Sequence, residues 1–425
     1  MIERIKSALR DCGISLWRIT DSTVESAELF FVKKQLDTRR IKDVRKFQAA
    51  VFRDVEADGQ TLRGFTTVTL LESMDDARLR EELNGAYYAA QFAANPFYAL
   101  PDPVQAPVKE KTGQLCQAPL AESAAQIAQA LFAADTREDA FLNSAEIFVT
   151  RSRTRILSSE GTDAAYTDAK AEGEFVVQCQ EPEDVEIHNT YSYDTLDTAA
   201  LTKKVAEALT FVRDRSRAQR ILKSGQYDVV LSAEAAATVL SYYQDRAAAQ
   251  MIYPKYSTWQ VGEQVQGEEI SGAKLDLDLC ATQPYSEEGI PMEDLPLLRA
   301  GELKAIHGNN RFCRYLDIKP TGLYQKLRCL NSGVPFEELK AGPCLWAVAF
   351  SDFQMDSMSG HFGGEIRLAY LIEDGRAIPV TGGSINGSLL ESQGSLRFCE
   401  ERYEAAHYTG PYGVRIPNVN VAGVE

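Results

Sequence analysis

Apolar positions recur along this chain at two spacings, and each predicts a different kind of element. In the opening segment MIERIKSALRDCG, Ile2, Ile5 and Leu9 share one helix face, after which residues 14–20 alternate as a strand. A further apolar strand is predicted at 27–32. The clearest local signal is VRKFQAAVFRDVEADGQTLRGFTTVTLL, where two long β-type runs meet at Asp58-Gly59, a dipeptide suited to positive φ in a tight turn. Residues 44–70 therefore read as one hairpin. Leu79, Leu83, Ala86, Tyr87 and Ala90 return at helical spacing, which predicts a helix covering one face of that sheet, and the proline-rich NPFYALPDPVQAP ends the lobe.

The second stretch opens near Ala118 with an alanine-rich helix. It continues as strand, Ser-Ser-Glu-Gly turn and strand, and closes with a helix of about 197–221 whose Leu201, Val205, Leu209 and Val212 form an apolar stripe. From Tyr227 a strand, DVVLS, leads into the helix AEAAATVLSYYQDRAAAQ and then into glycine-punctuated β segments. The expected class is α+β: N-terminal α/β lobes, each an antiparallel sheet with covering helices, followed by a β-rich C-terminal domain with one buried helix. The expected divisions are 1–112, 113–225 and 226–425. A length of 425 residues with 44% hydrophobic content agrees with two or three domains.

Charge narrows the function. Lys plus Arg is 45 against 61 Asp plus Glu, a net charge of −16, which disfavours direct contact with nucleic acid or anionic lipid. The basic run Lys33, Lys34, Arg39, Arg40, Lys42, Arg45 and Lys46 reads as a solvated strand face. The eight cysteines are scattered without a CxxC pair, so they read as reduced, buried thiols. The charged N-terminal helix lacks the apolar core of a signal peptide, and no run approaches the roughly 18 apolar residues of a membrane span. A cytoplasmic location is the expectation.

Candidate chemistry is sparse. The four histidines, His188, His307, His361 and His407, are not spaced for one helix face or one metal-binding turn. Asp356, Ser357, Ser359 and His361 sit close enough to imitate a hydrolase triad, but triads gather their members from separated elements, and a polar turn is the expectation. The acids Asp276, Asp278, Glu287 and Glu288 read as solvent-facing, and GGSING at 382–387 lacks the Lys-Ser or Lys-Thr of a phosphate loop. Cys313, Cys329, Cys344 and Cys399 read as structural, since a reactive thiolate needs a neighbouring base or positive dipole.

An ordered series of segments nevertheless carries a resemblance. YDVVLSAEAAATVL is followed by VGEQV (261–265), EEGIP (287–291), LLRAGELKAI (297–306), NSG (331–333), SGHFGGEIRLAYLIEDGRAIPV (359–380), ING (385–387) and PNVNVAG (417–423). In this order the segments resemble the C-terminal half of the TldD/PmbA family, also called modulator of DNA gyrase. The DGQTLRGFTTVTL hairpin and its following helix resemble the family's N-terminal domain.

In the family's catalytic members the helix after the DVVL-type strand carries His-Glu-x-x-x-His, two imidazoles binding zinc while the Glu acts on the attacking water. The resemblance places those positions at Ser241, Tyr242 and Arg246. Serine is a poor zinc ligand, tyrosine does not replace a carboxylate base at neutral pH, and arginine stays protonated. No histidine occurs anywhere in 233–250, and the C-terminal stretch where relatives place a cysteine ligand reads EAAHYTGPYGVRIP. The resemblance is thus to the PmbA/TldE side of the family, and implies a pseudoenzyme with no catalytic residue, metal or cofactor of its own. It implies a dimer in which a TldD-like zinc metallopeptidase subunit supplies proteolysis and both subunits enclose a peptide chamber. Tyr242, Tyr243, Tyr253, Tyr256 and Trp259 are candidates for lining that channel, against the plainer reading of core packing. The alternatives are a homodimeric peptide- or ligand-binding protein of the same fold, and a hydrolase with a relocated site involving His361, His407 or Cys399.

Overall fold

The structure is a computed structural model describing residues 1–424. Seven strands, β1 (Trp17–Val32), β2 (Gln35–Ala57), β3 (Gln60–Leu70), β4 (Ala94–Pro96), β5 (Phe141–Ser158), β6 (Asp163–Cys179) and β7 (Val185–Tyr193), build the N-terminal half. They form one antiparallel sheet in the order β4-β3-β2-β1-β5-β6-β7. The expected hairpin is present: Ala57 pairs with Gln60, and Asp58 and Gly59 turn the chain at φ of 53° and 75°.

Two strands expected at 14–20 and 27–32 are one. β1 continues through the polar residues between them because β2 and β5 pair with it along both sides. Its polar side chains find partners across the sheet. Glu28, 2% exposed, lies opposite Arg40 and accepts from Ser26 (2.8 Å), Lys42 (2.7 Å) and Arg40 (2.5 Å), while Arg45 pairs with Asp21 at 2.7 Å. Arg40, Lys42 and Arg45 of the basic run therefore serve β1.

Although the sheet is continuous, apolar side chains gather beneath it in two groups. The helices Ile2–Asp11 and Asp76–Ala90 bury Ile5, Leu9, Leu79 and Leu83 against Phe47, Val51 and Leu70. The helices Leu120–Ala133 and Thr198–Ser216 bury Ile127, Leu131, Leu201, Val205 and Val212 against Ile147, Val149, Phe175 and Val177.

In the C-terminal half come β8 (Gly225–Ser232), β9 (Leu277–Cys280), β10 (Leu295–Arg299), β11 (Glu302–Leu303), β12 (Lys326–Cys329), β13 (Cys344–Met355) and β14 (His361–Glu373). They are followed by β15 (Arg376–Val380), β16 (Ser384–Ser388), β17 (Arg397–Phe398), β18 (Arg402–Ala405), β19 (Tyr408–Pro411) and β20 (Gly413–Ala422). One sheet runs β11-β10-β9-β12-β19-β18. In the other, β13 pairs with both β8 and β14, so the path β8-β20-β16-β14-β13 closes on itself. The helix Glu234–Arg246 packs into the core these sheets share. This is the expected α+β class, rich in strands.

The halves are joined by specific contacts. Tyr166 donates to Gln283 (2.7 Å), Asn310 to the Ala99 carbonyl (2.7 Å) and Tyr370 to Asp214 (2.7 Å). Among the described residues, no helix is long and apolar enough to cross a membrane. Phe47 is fully buried in the first apolar group. Phe47→Ala is expected to lower folding stability by about 3–5 kcal/mol, read as an earlier unfolding transition in urea.

Candidate functional site

β8 delivers the chain into the core with Val229, Val230 and Leu231 fully buried. Ala233 then turns at φ 51°, its N–H donating to the Tyr412 carbonyl at 2.7 Å, and the helix Glu234–Arg246 begins. Ala235, Ala236, Ala237, Val239, Leu240, Tyr242 and Tyr243 are buried, so most of its circumference is apolar contact.

The three positions of interest are occupied with packing. Ser241 Oγ donates back to the Thr238 carbonyl at 2.8 Å. Tyr242 is 2% exposed and meets Trp259 edge-on at 5.8 Å between ring centroids. Arg246 donates to the Tyr256 carbonyl and lies 5.7 Å from the Trp259 ring centroid. Among the described residues, no three His, Cys, Asp or Glu side chains gather as a metal-holding group.

The aromatic residues expected to line a channel divide. Tyr243 is fully buried, stacks on Trp259 at 6.1 Å and donates to Gln393 Oε1 at 2.8 Å. Tyr242, Tyr243 and Trp259 are thus core residues, because the helix is enclosed on the side that carries them. Only Tyr253 and Tyr256 expose substantial ring surface, at 41% and 56%, and Tyr253 packs against Tyr315 at 4.8 Å.

His307 fixes the far end of the helix. Its Nε2 faces the Gln244 carbonyl at 2.9 Å and its Nδ1 receives the Tyr324 N–H at 3.5 Å. A ring with one donor and one acceptor site satisfied is neutral, and burial pushes its pKa down to about 4.

The remaining candidates separate in space. Ser359 Oγ lies 2.5 Å from Asp356 and accepts from His361 Nδ1 at 3.1 Å, the reverse of the order a triad needs, on an exposed turn between β13 and β14. Asp278 is paired with Arg299 (2.5 Å), Asp276 caps the Ala300 N–H (2.7 Å) and Glu288 the Asn310 N–H (2.7 Å). GGSING forms the turn into β16, with Gly382 and Gly383 at φ of 84° and 78°. Burial raises the thiols of Cys313 and Cys399 to about 11 and that of Cys329 to about 12, so these stay protonated at neutral pH.

A cluster invisible to sequence reasoning forms where the two halves meet. His407 Nε2 lies 3.0 Å from Glu234 Oε1, and the Tyr403 hydroxyl donates to Glu234 Oε2 at 3.2 Å. Burial opposes ionisation of Glu234, but these two hydrogen bonds outweigh it and hold the carboxyl below its ordinary range. Glu234 and His407, with Lys204 beside them, line a cleft of about 400 Å³. No local spacing announces a group drawn from residues 204, 234, 403 and 407.

Residues 224–424 match the family model described as the PmbA/TldA metallopeptidase C-terminal domain. This stretch, just under half of the chain, therefore carries the PmbA/TldD C-terminal domain. The whole fold of the chain is similar to that of TldE from Thermococcus kodakarensis, with 14% identity, a TM-score of 0.77, and coverage of 99% of this chain and 100% of that one. It is also similar to a protein named as a candidate DNA gyrase modulator from Thermotoga maritima (17% identity, TM-score 0.76, 99% of each chain). A third such structure, from Bacteroides thetaiotaomicron, has 14% identity and a TM-score of 0.78 over 99% of this chain and 98% of that one. No curated protein matches the sequence. The TldD/PmbA domain contains both the helix at 234–246 and the Glu234–His407 pair.

The His307 geometry sets a pH dependence. Its folded pKa lies below the ordinary 6.5, so the unfolded chain binds the extra proton first. Stability from this residue is complete above about pH 6.5 and is lost as pH falls toward about 4. Denaturant midpoints measured across that window are expected to decline on acidification, with a shallower decline in His307→Gln.

Proposed function

We propose that this chain is a non-catalytic subunit of a TldD/TldE-type zinc peptidase assembly, which shapes a peptide-binding chamber together with a zinc-bearing partner. One observation carries the reading: the helix after β8 bears Ser241, Tyr242 and Arg246, and each is committed to packing or backbone hydrogen bonds. None offers an imidazole or carboxylate to a metal. Similarity to TldE of Thermococcus kodakarensis in fold supports the same side of the family. The hydrolytic water and its metal are then the partner's contribution, while this chain supplies enclosure and peptide contacts. Tyr253 and Tyr256 are the aromatic residues able to face that chamber.

Co-expression with a family relative carrying His-Glu-x-x-x-His, followed by size-exclusion chromatography and a peptidase assay, tests this. A heterodimer that cleaves unfolded peptide and loses activity to chelator is the expected result, with the isolated chain inactive. Stoichiometric zinc in the purified chain, or chelator-sensitive cleavage by it alone, overturns the proposal; exclusive self-association favours the homodimeric binding protein.

A further inference from the structure

The cleft between the two halves lies where two sheet edges approach each other. β7 ends the N-terminal sheet and β18 ends the six-stranded sheet, and each therefore has one side free of strand partners. Thr190, Tyr191 and Ser192 of β7 face the cleft across from residues 404–407 of the β18–β19 turn. An edge strand offers unpaired N–H and C=O groups, the usual acceptor for an extended peptide.

Every carboxylate lining this cleft has a hydrogen-bonding or ion-pair partner, and one cation has none. Glu172 pairs with Lys170 at 2.8 Å, Glu174 with His188 at 3.1 Å, Glu234 with His407 at 3.0 Å, and Glu404 with Lys326 at 3.3 Å. Lys204 also lines the cleft, yet among the described residues it forms no ion pair and no hydrogen bond. Its Nζ rests 5.4 Å from the centroid of the Tyr403 ring. An ammonium has three donors, and none of those of Lys204 is taken up within the described residues, so they are free to meet an acceptor in the cleft. Burial accordingly weakens its hold on the proton, partly countered by Glu234 and Glu207.

We infer that the cleft binds the C-terminal carboxylate of a peptide, with Lys204 donating to the carboxylate and the last residues extended along the β7 edge. A single negative charge fits better than a phosphate dianion, because four carboxylates line the same walls. Phe148 supplies apolar surface for a side chain. This deepens the proposed handling of peptides, but its test requires no partner subunit, so failure here leaves the assembly question untouched.

Isothermal titration calorimetry of the full chain with acetyl-trialanine, its C-terminal amide, an amidated acetyl-Ala-Glu-Ala and inorganic phosphate decides the matter. The free acid is expected to bind at least roughly tenfold more tightly than its amide, a difference of about 1.4 kcal/mol. Lys204→Met is expected to remove that preference and Lys204→Arg to keep part of it, with circular dichroism confirming that both fold. The acid–amide comparison on the unaltered chain stands even where a variant does not fold. Equal binding of acid and amide, undetectable binding in the millimolar range, or a preference unchanged in folded Lys204→Met overturns the site. Tighter binding of phosphate overturns the carboxylate assignment, and tighter binding of the glutamate-bearing amide overturns the assignment to a chain terminus.

Discussion

Enclosure of the helix Glu234–Arg246 by two sheets is the constraint on which the C-terminal half is built. A helix that buries alanine, valine, leucine and tyrosine around most of its circumference has to be surrounded, and the closed path β8-β20-β16-β14-β13 with the six-stranded sheet does so. Tyr242, Tyr243 and Trp259 fill the space with mutually edge-on and stacked rings. The hydroxyl of Tyr243 is the polar exception, and Gln393 accepts from it.

That enclosure bears directly on chemistry. A metal site needs ligands aimed at a shared point and an approach for water. On this helix Tyr242 and Tyr243 belong to the core, and His307 at its end is held neutral by a carbonyl on one nitrogen and an N–H on the other. At the helix start Glu234 meets His407 and Tyr403. They are brought there by the N-terminal turn at Ala233 and by the turn between β18 and β19.

The N-terminal half follows a different logic. Its sheet is wide, and its central strand carries cross-strand ion pairs beside its apolar burial. Buried Glu28 is tolerable because Arg40 and Lys42 on the neighbouring strand neutralise it in register. The sheet ends at β7 without closure, which leaves an edge facing the C-terminal half.

Local periodicity was enough to determine the hairpin at Asp58-Gly59, the covering helices at 76–90 and 198–216, and the strand and helix that open the C-terminal half. These depend on turn chemistry and on spacing along a few residues, both of which are written locally. The absence of histidine from 233–250 likewise needs no coordinates. Tertiary structure alone decided that β1 is one strand, because its polar middle is paid for by side chains on β2, and that Tyr242, Tyr243 and Trp259 are core while Tyr253 and Tyr256 are surface. It alone assembled Lys204, Glu234, Tyr403 and His407, because proximity between residues some 200 positions apart is set by how sheets pack, and no short-range pattern encodes it.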